Sequence, residues 1–375
     1  MTRSLDICIR GGGIVGRTLA LLLARERLRV GLVVPVPTAP CSTMPTSADV
    51  RAYALNAKSR ALLESLRCWP DALHATEVIA MQVNGDDGGI VNFSASQFNV
   101  PGLTWIVDVP ALEARLAEAV RFQPEIELLN DPQSAALTVI CEGRSSGART
   151  EFGIDFDVTP YPQTAIAARL QCEKPHARTA FQWFSQGEIL AFLPLDGPEG
   201  NSVGIVWSVL KGRVDALLGE SAEEFCQQLE VASDKRLGKL SLISERSAWP
   251  LQSARARRWV GTHAGGAWAL AGDAAHNVHP LAGQGLNLGL SDAAALATVL
   301  GQREYWRKVG DQRLLRRYER SRKADVLLMD TAMDGLQRLF SVEGAGWQAV
   351  RNWGMIGFER SGQLKEWVAR RAMGS

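Results

Sequence analysis

The sequence predicts an α/β chain in which a parallel, Rossmann-like sheet is interrupted by a second, antiparallel one. Three stretches carry that expectation. A short apolar strand, Leu5 to Arg10, runs into Gly11-Gly12-Gly13-Ile14-Val15-Gly16 and then into a helix and a second strand. Between Tyr161 and Val209, apolar runs of strand length alternate with turn residues. From Ala267 to Leu300, a strand, an acidic turn, a glycine loop and a long small-residue helix follow one another. The first and third stretches have the parts of a parallel βαβ layer and the second reads as a meander, so an inserted sheet joins them most simply.

In the first stretch the helix should run from Ile14 to about Arg27, with Leu19, Leu22 and Leu23 facing inward, and the second strand from Val30 to Val34. Strand, glycine turn, helix and strand within about thirty residues is the spacing of a dinucleotide fingerprint. Two positions depart from it. An acid is expected at the end of the second strand to hold ribose hydroxyls, and Val34-Pro35 stands there. Arg10 also occupies the last position of the first strand, where an apolar residue is usual.

A length of 375 residues exceeds what one core usually needs, so two domains are expected. A formal net charge of +1 gives no basic excess for nucleic acid. Six cysteines (Cys8, Cys41, Cys68, Cys141, Cys172 and Cys226) show neither CxxC pairing nor metal spacing and read as reduced, mostly buried thiols of a cytoplasmic chain. No apolar run reaches membrane-spanning length, and no metal site is expected.

Pro35 to Thr46, rich in Pro, Ser and Thr, reads as a surface loop. Arg51 to Leu55 is expected to open a helical stretch to about Leu66. Arg51 either reaches a phosphate or the edge of a flat cofactor ring, or is a solvated helix charge. Val78 to Phe93 reads as strands broken by a tight turn at Asn84 to Gly89, and Pro110 to Val120 as an amphipathic helix with Leu112, Leu116 and Val120 in register. Leu137 to Cys141 is a buried strand followed by Glu142-Gly143-Arg144-Ser145-Ser146. The meander comprises Ala165–Leu170, Ala180–Phe184, Ile189–Leu193 and Val203–Val209, with a helix at Ser221 to Ala232 after it. Asp311 to Phe340 is a charged helix, and the tail carries Trp347, Trp353 and Trp367, a combination that suits contact with a membrane surface or a solvated helix. The expected division is a discontinuous nucleotide domain of 1–76, 105–158 and 252–340, a substrate domain of 77–104 and 159–251, and a tail of 341–375.

The third stretch holds most of the candidate site. Gly272-Asp273 ends a strand, Pro280, Gly283 and Gly285 form a loop, and the helix beginning near Leu286 would point free N–H groups and its positive end at a ligand. Of the histidines here, His276 and His279 flank the loop, where one could move protons or simply pack it. His176, beside Pro175, reads as structural.

Taken together, GGGIVG, the mid-chain CEGRSSGAR and the later GDAAHNVHPLAGQGLNLGL resemble the FAD-dependent aromatic hydroxylases of the p-hydroxybenzoate hydroxylase fold. EKPH (Glu173 to His176), Leu190 to Leu195, Ile205 to Ser208, Trp249-Pro250-Leu251 and Tyr318 to Lys323 bring the resemblance closer to the ubiquinone-biosynthesis hydroxylases, the UbiH/VisC group. It implies an FAD monooxygenase that uses NADPH or NADH and O2 to hydroxylate the ring of a polyprenylated phenol through a flavin hydroperoxide. By that resemblance Gly11, Gly13 and Gly16 hold the FAD pyrophosphate and Asp273, after Gly272, binds the ribityl hydroxyls. Pro280 and the backbone of Gly283, Gln284, Gly285, Leu286 and Asn287 line the isoalloxazine, with His279 nearby and Arg51 beside it. Glu142-Gly143 stands where the family carries Asp-Gly, a motif associated with both FAD and NAD(P)H, and Trp183 stands where Arg is expected. No catalytic side chain is assigned, since the chemistry is the cofactor's. Phe181, Trp183, Phe184, Phe192 and Trp207 suit either an apolar wall for the pocket or, for most of them, the core of the sheet. The partners implied are the prenylated phenol, other ubiquinone-biosynthesis proteins and the face of the inner membrane. Two other readings stand beside this one: the same chemistry on a small soluble aromatic, or a catalytically weak FAD-binding subunit of a biosynthetic complex.

Overall fold

The structure, a computed structural model, describes residues 4–34, 49–85, 88–263, 265–277 and 284–341 and scattered positions between 359 and 374, with side chains of the last long helix described as far as 328. The expected loop at Pro35 to Thr46 and the tail tryptophans Trp347, Trp353 and Trp367 lie outside the described residues. Among the described residues the strands form sheets of six, nine and three.

The six-stranded sheet runs Val260–His263, Gly266–Leu270, Ala135–Ile140, Leu5–Arg10, Val30–Val33, Ile126–Leu129 across its width. Its neighbours are parallel apart from the hairpin of the first two. Leu5–Arg10 lies inside the sheet, and Ile7, Cys8 and Ile9 are fully buried. The helix Ile14–Arg25 covers it with Leu19 and Leu23 fully buried. Val109–Arg121 packs nearby through Leu112, Leu116 and Val120, the positions its periodicity indicates. Glycines at 272 and 289 let the third stretch come close: a Cβ at Gly289 would lie 2.8 Å from Val15 Cγ2, and one at Gly272 3.3 Å from it.

In the nine-stranded sheet the long strand Phe156–Cys172 pairs antiparallel with both Ser202–Leu210 and Ser247–Ala256. Glu188–Pro194 and Thr179–Ser185 extend it, and Ala80–Asn84 with Ile90–Ser94 closes the far edge. Strand alternation divides this sheet into two faces. One face carries Phe181, Trp183, Leu190, Phe192, Ile205 and Trp207 and packs under the helices Lys211–Gly219 and Ala222–Ala232 through Leu217, Phe225 and Leu229. The second helix is set by a capping box in which Ser221 and Glu224 satisfy each other's backbone N–H groups.

The three-stranded sheet, Ala52–Leu55, Thr104–Asp108 and Ala75–Val78, corrects the helical reading of Arg51 to Leu55. Residues 52–55 pair antiparallel with Thr104–Asp108, and the helix starts only at Ala57, where the Asn56 side chain accepts the Ser59 N–H at 2.9 Å. His176 is structural as expected: its Nε2 meets the Leu195 carbonyl at 2.8 Å and its Nδ1 accepts the Arg178 N–H.

The charged helix Gln312–Ser341 is built into the core along one side. Tyr318 Oη donates to the Leu270 carbonyl at 2.8 Å and Glu319 accepts the Trp259 N–H at 2.9 Å. Arg322 Nε donates to Asp292 Oδ1 at 2.7 Å, and Lys323 Nζ donates to the Arg257 carbonyl at 2.6 Å. Of the basic residues in this part of the helix, Arg313, Arg316, Arg317 and Arg320 are exposed.

Asp292, fully buried, also accepts from Gly272 N at 2.9 Å and meets His276 Nε2 at 2.6 Å. Burial pushes its carboxyl up, but His276 and Arg322 outweigh that and hold it below the ordinary carboxylate range. Replacing Arg322 by Met should cost about 3 kcal/mol or more in urea unfolding at neutral pH, because it strands a buried charge. The stability gap between wild type and Asp292→Asn should hold above about pH 4 and close as the pH falls through the lowered folded-state pKa.

Candidate functional site

The glycine turn after the first strand is shaped by what a Cβ would strike. Gly11 has φ +117°, and a Cβ there would meet the Cys141 carbonyl oxygen; one at Gly16 would meet the carbonyl of Gly11. These contacts seat the helix tightly on its strand. Gly13, the N-cap, has open space where its Cβ would be. The first N–H groups of the helix Ile14–Arg25 therefore face a clear approach at its positive end. Gly12 faces the second strand instead: its Cβ would lie 2.6 Å from Val34 Cγ2. Val34 thus packs over the turn.

Arg10 and Glu142, each unusual alone, are partners. Arg10 Nε donates to Glu142 Oε1 at 2.9 Å, and its Nη1 donates to Glu151 at 2.6 Å. The other Glu142 oxygen accepts from Ser146 Oγ at 2.8 Å and from the Ala148 N–H at 3.0 Å, at the start of the helix Gly147–Glu151. Burial raises the Glu142 carboxyl, but these donors and Arg10 bring it below its ordinary value. The longer side chain at 142 reaches both the short helix and the arginine across the strand ends. Gly143 follows with φ +78° and nothing near its missing Cβ.

Gly272, with φ +64°, and Asp273 open the turn after Gly266–Leu270. The Asp273 carboxylate is half-buried and takes no hydrogen bond among the described residues. Burial pushes its pKa up, with His276, Arg144 and Arg149 acting against that. His276 is not a proton carrier at an open site: it is 2% exposed, bonded to Asp292 and stacked on Trp259 at 4.9 Å between ring centroids. Its place is fixed by packing. His279, Pro280 and Gly283, and the side chain of Gln284, lie outside the described residues. The helix Gln284–Gly301 begins with the backbone of Gln284, Gly285 and Leu286, and a Cβ at Gly285 would meet nothing within 4 Å. The Asn287 side chain is committed: its Oδ1 accepts from Asn56 N and Ser59 Oγ, and its Nδ2 donates to the Ala54 carbonyl at 2.7 Å. Arg51 is tied to Asp49, with Nη2 to Oδ2 at 2.5 Å and Nε to Oδ1 at 2.9 Å.

Between the strand Ala52–Leu55 and the uncovered face of the nine-stranded sheet lies a cavity of about 90 Å³. Its walls are mainly aliphatic: Ala52, Ala54, Ala167, Ile189, Ala191, Leu193, Gly204 and Val206, with Trp249 at one side. Tyr53, Gln182 and Ser208 supply hydroxyl and amide groups, and Arg51 is the one charged residue among the described residues lining it. Of the two readings of the sheet's aromatic residues, the core one holds. Phe181, Trp183, Phe192 and Trp207 point to the opposite face, under the two helices, because each is one residue out of phase with the lining positions. Phe184 shares the cavity's face but packs against Ile189 and Val83. Trp183 therefore takes nothing from the cavity, while its neighbour Gln182, which the sequence reading passed over, enters it.

Comparison with known proteins gives this arrangement a context. The family described as FAD binding domain matches residues 126–329. The ubiquinone hydroxylase UbiL of Rhodospirillum rubrum is 31% identical over 99% of this chain and 90% of its own length. The 3-demethoxyubiquinol 3-hydroxylase of Escherichia coli is 30% identical over 98% of each chain. Among solved structures, the p-nitrophenol 4-monooxygenase PnpA of Pseudomonas putida superposes with a TM-score of 0.73 at 16% identity, covering 100% of this chain and 99% of that one. That likeness shows the fold, a Rossmann-like FAD-binding layer with an inserted antiparallel sheet in the p-hydroxybenzoate hydroxylase manner. With a family match over more than half its length and full-length relatives at this identity, the chain belongs to the FAD-dependent monooxygenases of the ubiquinone-hydroxylase group.

Proposed function

We propose that this chain hydroxylates the ring of a prenylated phenol on the path to ubiquinone. The full-length likeness to two ubiquinone-pathway hydroxylases supports the pathway. The observation that carries the ring assignment is the cavity: its walls are mainly aliphatic, and the one charged residue among its described lining is already paired with Asp49. A free aromatic acid would need a cation to hold its carboxylate, so an uncharged ring suits the cavity better.

The residues present fit FAD. Open space beside Gly13 and Gly285 at two helix N-termini, and an Asp273 carboxylate without a hydrogen bond among the described residues, are what a phosphate and a polyol chain require. In this proposal Gly11, Gly13 and Gly16 hold the pyrophosphate and Asp273 the ribityl hydroxyls. The N–H groups of Gly285 and Leu286 stabilise negative charge on the ring system. When bound, FAD supplies the redox chemistry, with electrons from NADPH or NADH and one oxygen atom from O2 passed to the substrate. The aliphatic walls keep water from the reacting ring. The Arg10–Glu142 pair holds the ends of its strands and the short helix, an indirect part in the site. The division of labour follows the sheets: the parallel layer holds the cofactor, and the antiparallel layer walls the ring pocket.

Contact with a membrane surface belongs to the same proposal. No helix among the described residues is long and apolar enough to cross a membrane. The long helix presents Arg313, Arg316, Arg317 and Arg320 outward, and the preceding loop exposes Tyr305 (94%) and Trp306 (65%).

Flavin retention tests the cradle. Asp273→Ala should emerge from purification depleted of FAD, as read from absorbance at about 450 nm, while His176→Ala should stay yellow. Val34→Glu should tighten FAD by roughly tenfold or more, because a charged hydrogen bond to a ribose hydroxyl is worth about 1.5–3 kcal/mol. Full FAD content in the Asp273 variant would mean that the turn is wrongly assigned. For the reaction, mass spectrometry of products formed with NADPH and O2 should show an added oxygen on a short-chain prenylated phenol and little on p-hydroxybenzoate. Efficient hydroxylation of the free acid alone would replace this reading with the soluble-substrate one.

A further inference from the structure

The two polar groups that the antiparallel sheet sends into the cavity have no use in the fold. Gln182, Ala191, Val206 and Ala167 form one row across four adjacent strands. Ile189, Ser208, Ala165 and Trp249 occupy the equivalent row two residues further along. In both rows every other member is apolar. Ser208 is 5% exposed. Neither its hydroxyl nor the Gln182 amide has a hydrogen-bond partner among the described residues, although both residues line the cavity. Both groups open onto the cavity, so a ligand that displaces water there must supply their hydrogen bonds. A ligand with matching oxygens supplies them.

Their spacing indicates what kind of ligand. Two strands and two residues separate them, which places their Cα atoms roughly 12 Å apart by sheet geometry. The longer glutamine side chain reaches inward from one side and the serine hydroxyl stands at the other. Together they can address oxygens at two positions of one ring. Both groups donate and accept, so each can serve a phenol hydroxyl or a methoxy oxygen. The cation that would select a carboxylate, Arg51, is occupied by Asp49.

We propose that Gln182 and Ser208 are specificity-determining residues that hydrogen-bond two oxygen substituents of the substrate ring, so that the site prefers a ring already oxygenated at two positions to a simple phenol. This rests on the hydroxylase reading given above. In it the residues act on binding, and the oxygen-transfer step needs neither.

The test is equilibrium binding to the FAD-loaded protein without NADPH, followed by the change in flavin absorbance. Two probes are compared, 2-prenylphenol and 2-methoxy-6-prenylphenol. Wild type should bind the methoxy compound more tightly, and Gln182→Met and Ser208→Ala should each reduce that preference about three- to tenfold. Ser208→Thr, which keeps the hydroxyl, should retain it. FAD content should be unchanged in all three variants, which separates a role in ligand choice from damage to the fold. If one variant does not fold, the other carries the test alone. An unaltered preference in a flavin-loaded variant overturns the assignment of that residue. Wild-type binding of both phenols with no preference overturns the proposal while leaving the hydroxylase reading intact. Failure of wild type to bind either phenol overturns the hydroxylase reading and this proposal with it.

Discussion

The structure depends on one buried carboxylate. Asp292 sits in a helix that is otherwise nearly all apolar, and it is fully buried. A charge in that position is tolerated only if donors surround it. Three do: the Gly272 N–H, His276 Nε2 and Arg322 Nε. They come from the acidic turn, the strand residue after it and the long charged helix. One side chain therefore fixes the turn that presents Asp273, holds His276 flat on Trp259 and anchors the last long helix against the parallel layer. The backbone of Leu270, bonded to Tyr318 Oη, joins the same assembly one turn earlier on that helix. The charge makes the turn's geometry specific in a way that apolar packing of the same segment would not.

The second constraint is the two-residue period of the antiparallel sheet. It gives the aromatic residues to a dry core beneath two helices and leaves the other face with small and aliphatic side chains. The cavity exists because Ala167, Ala191 and Gly204 are small where they face the strand Ala52–Leu55; a Cβ on Gly204 would lie 3.8 Å from the Ala52 Cβ. A large residue at any of these positions would fill the space proposed for the ring. The site thus combines a rigid turn set by electrostatics with a pocket set by side-chain volume.

Much of this was legible in the residues. The order of strand, glycine turn and helix is local, and local signals located the first βαβ unit, the capped helix after Ser221 and the strands of the meander to within a few residues. What the sequence concealed was non-local. Ala52–Leu55 has good helix formers on its C-terminal side, and only pairing with Thr104–Asp108 makes it a strand. Arg10 and Glu142 read as two separate defects, since nothing in a single sequence joins positions that lie 132 residues apart. Asp292 offered a signal that was not used: an acid within an apolar helix must have partners, and Arg322 and His276 were available. For Phe181, Trp183, Phe192 and Trp207, size alone leaves pocket wall and core equally open. Parity along the strands would have placed them opposite Gln182, given one reliable register.

The central claim is that the buried Asp292 network positions the turn proposed to hold the cofactor. The most direct test is the FAD dissociation constant of Arg322→Met, measured by fluorescence titration of apoprotein at a temperature where circular dichroism shows the variant folded. The account predicts weaker FAD binding, by about tenfold or more, with the fold retained. A folded variant that binds FAD as tightly as wild type would contradict it.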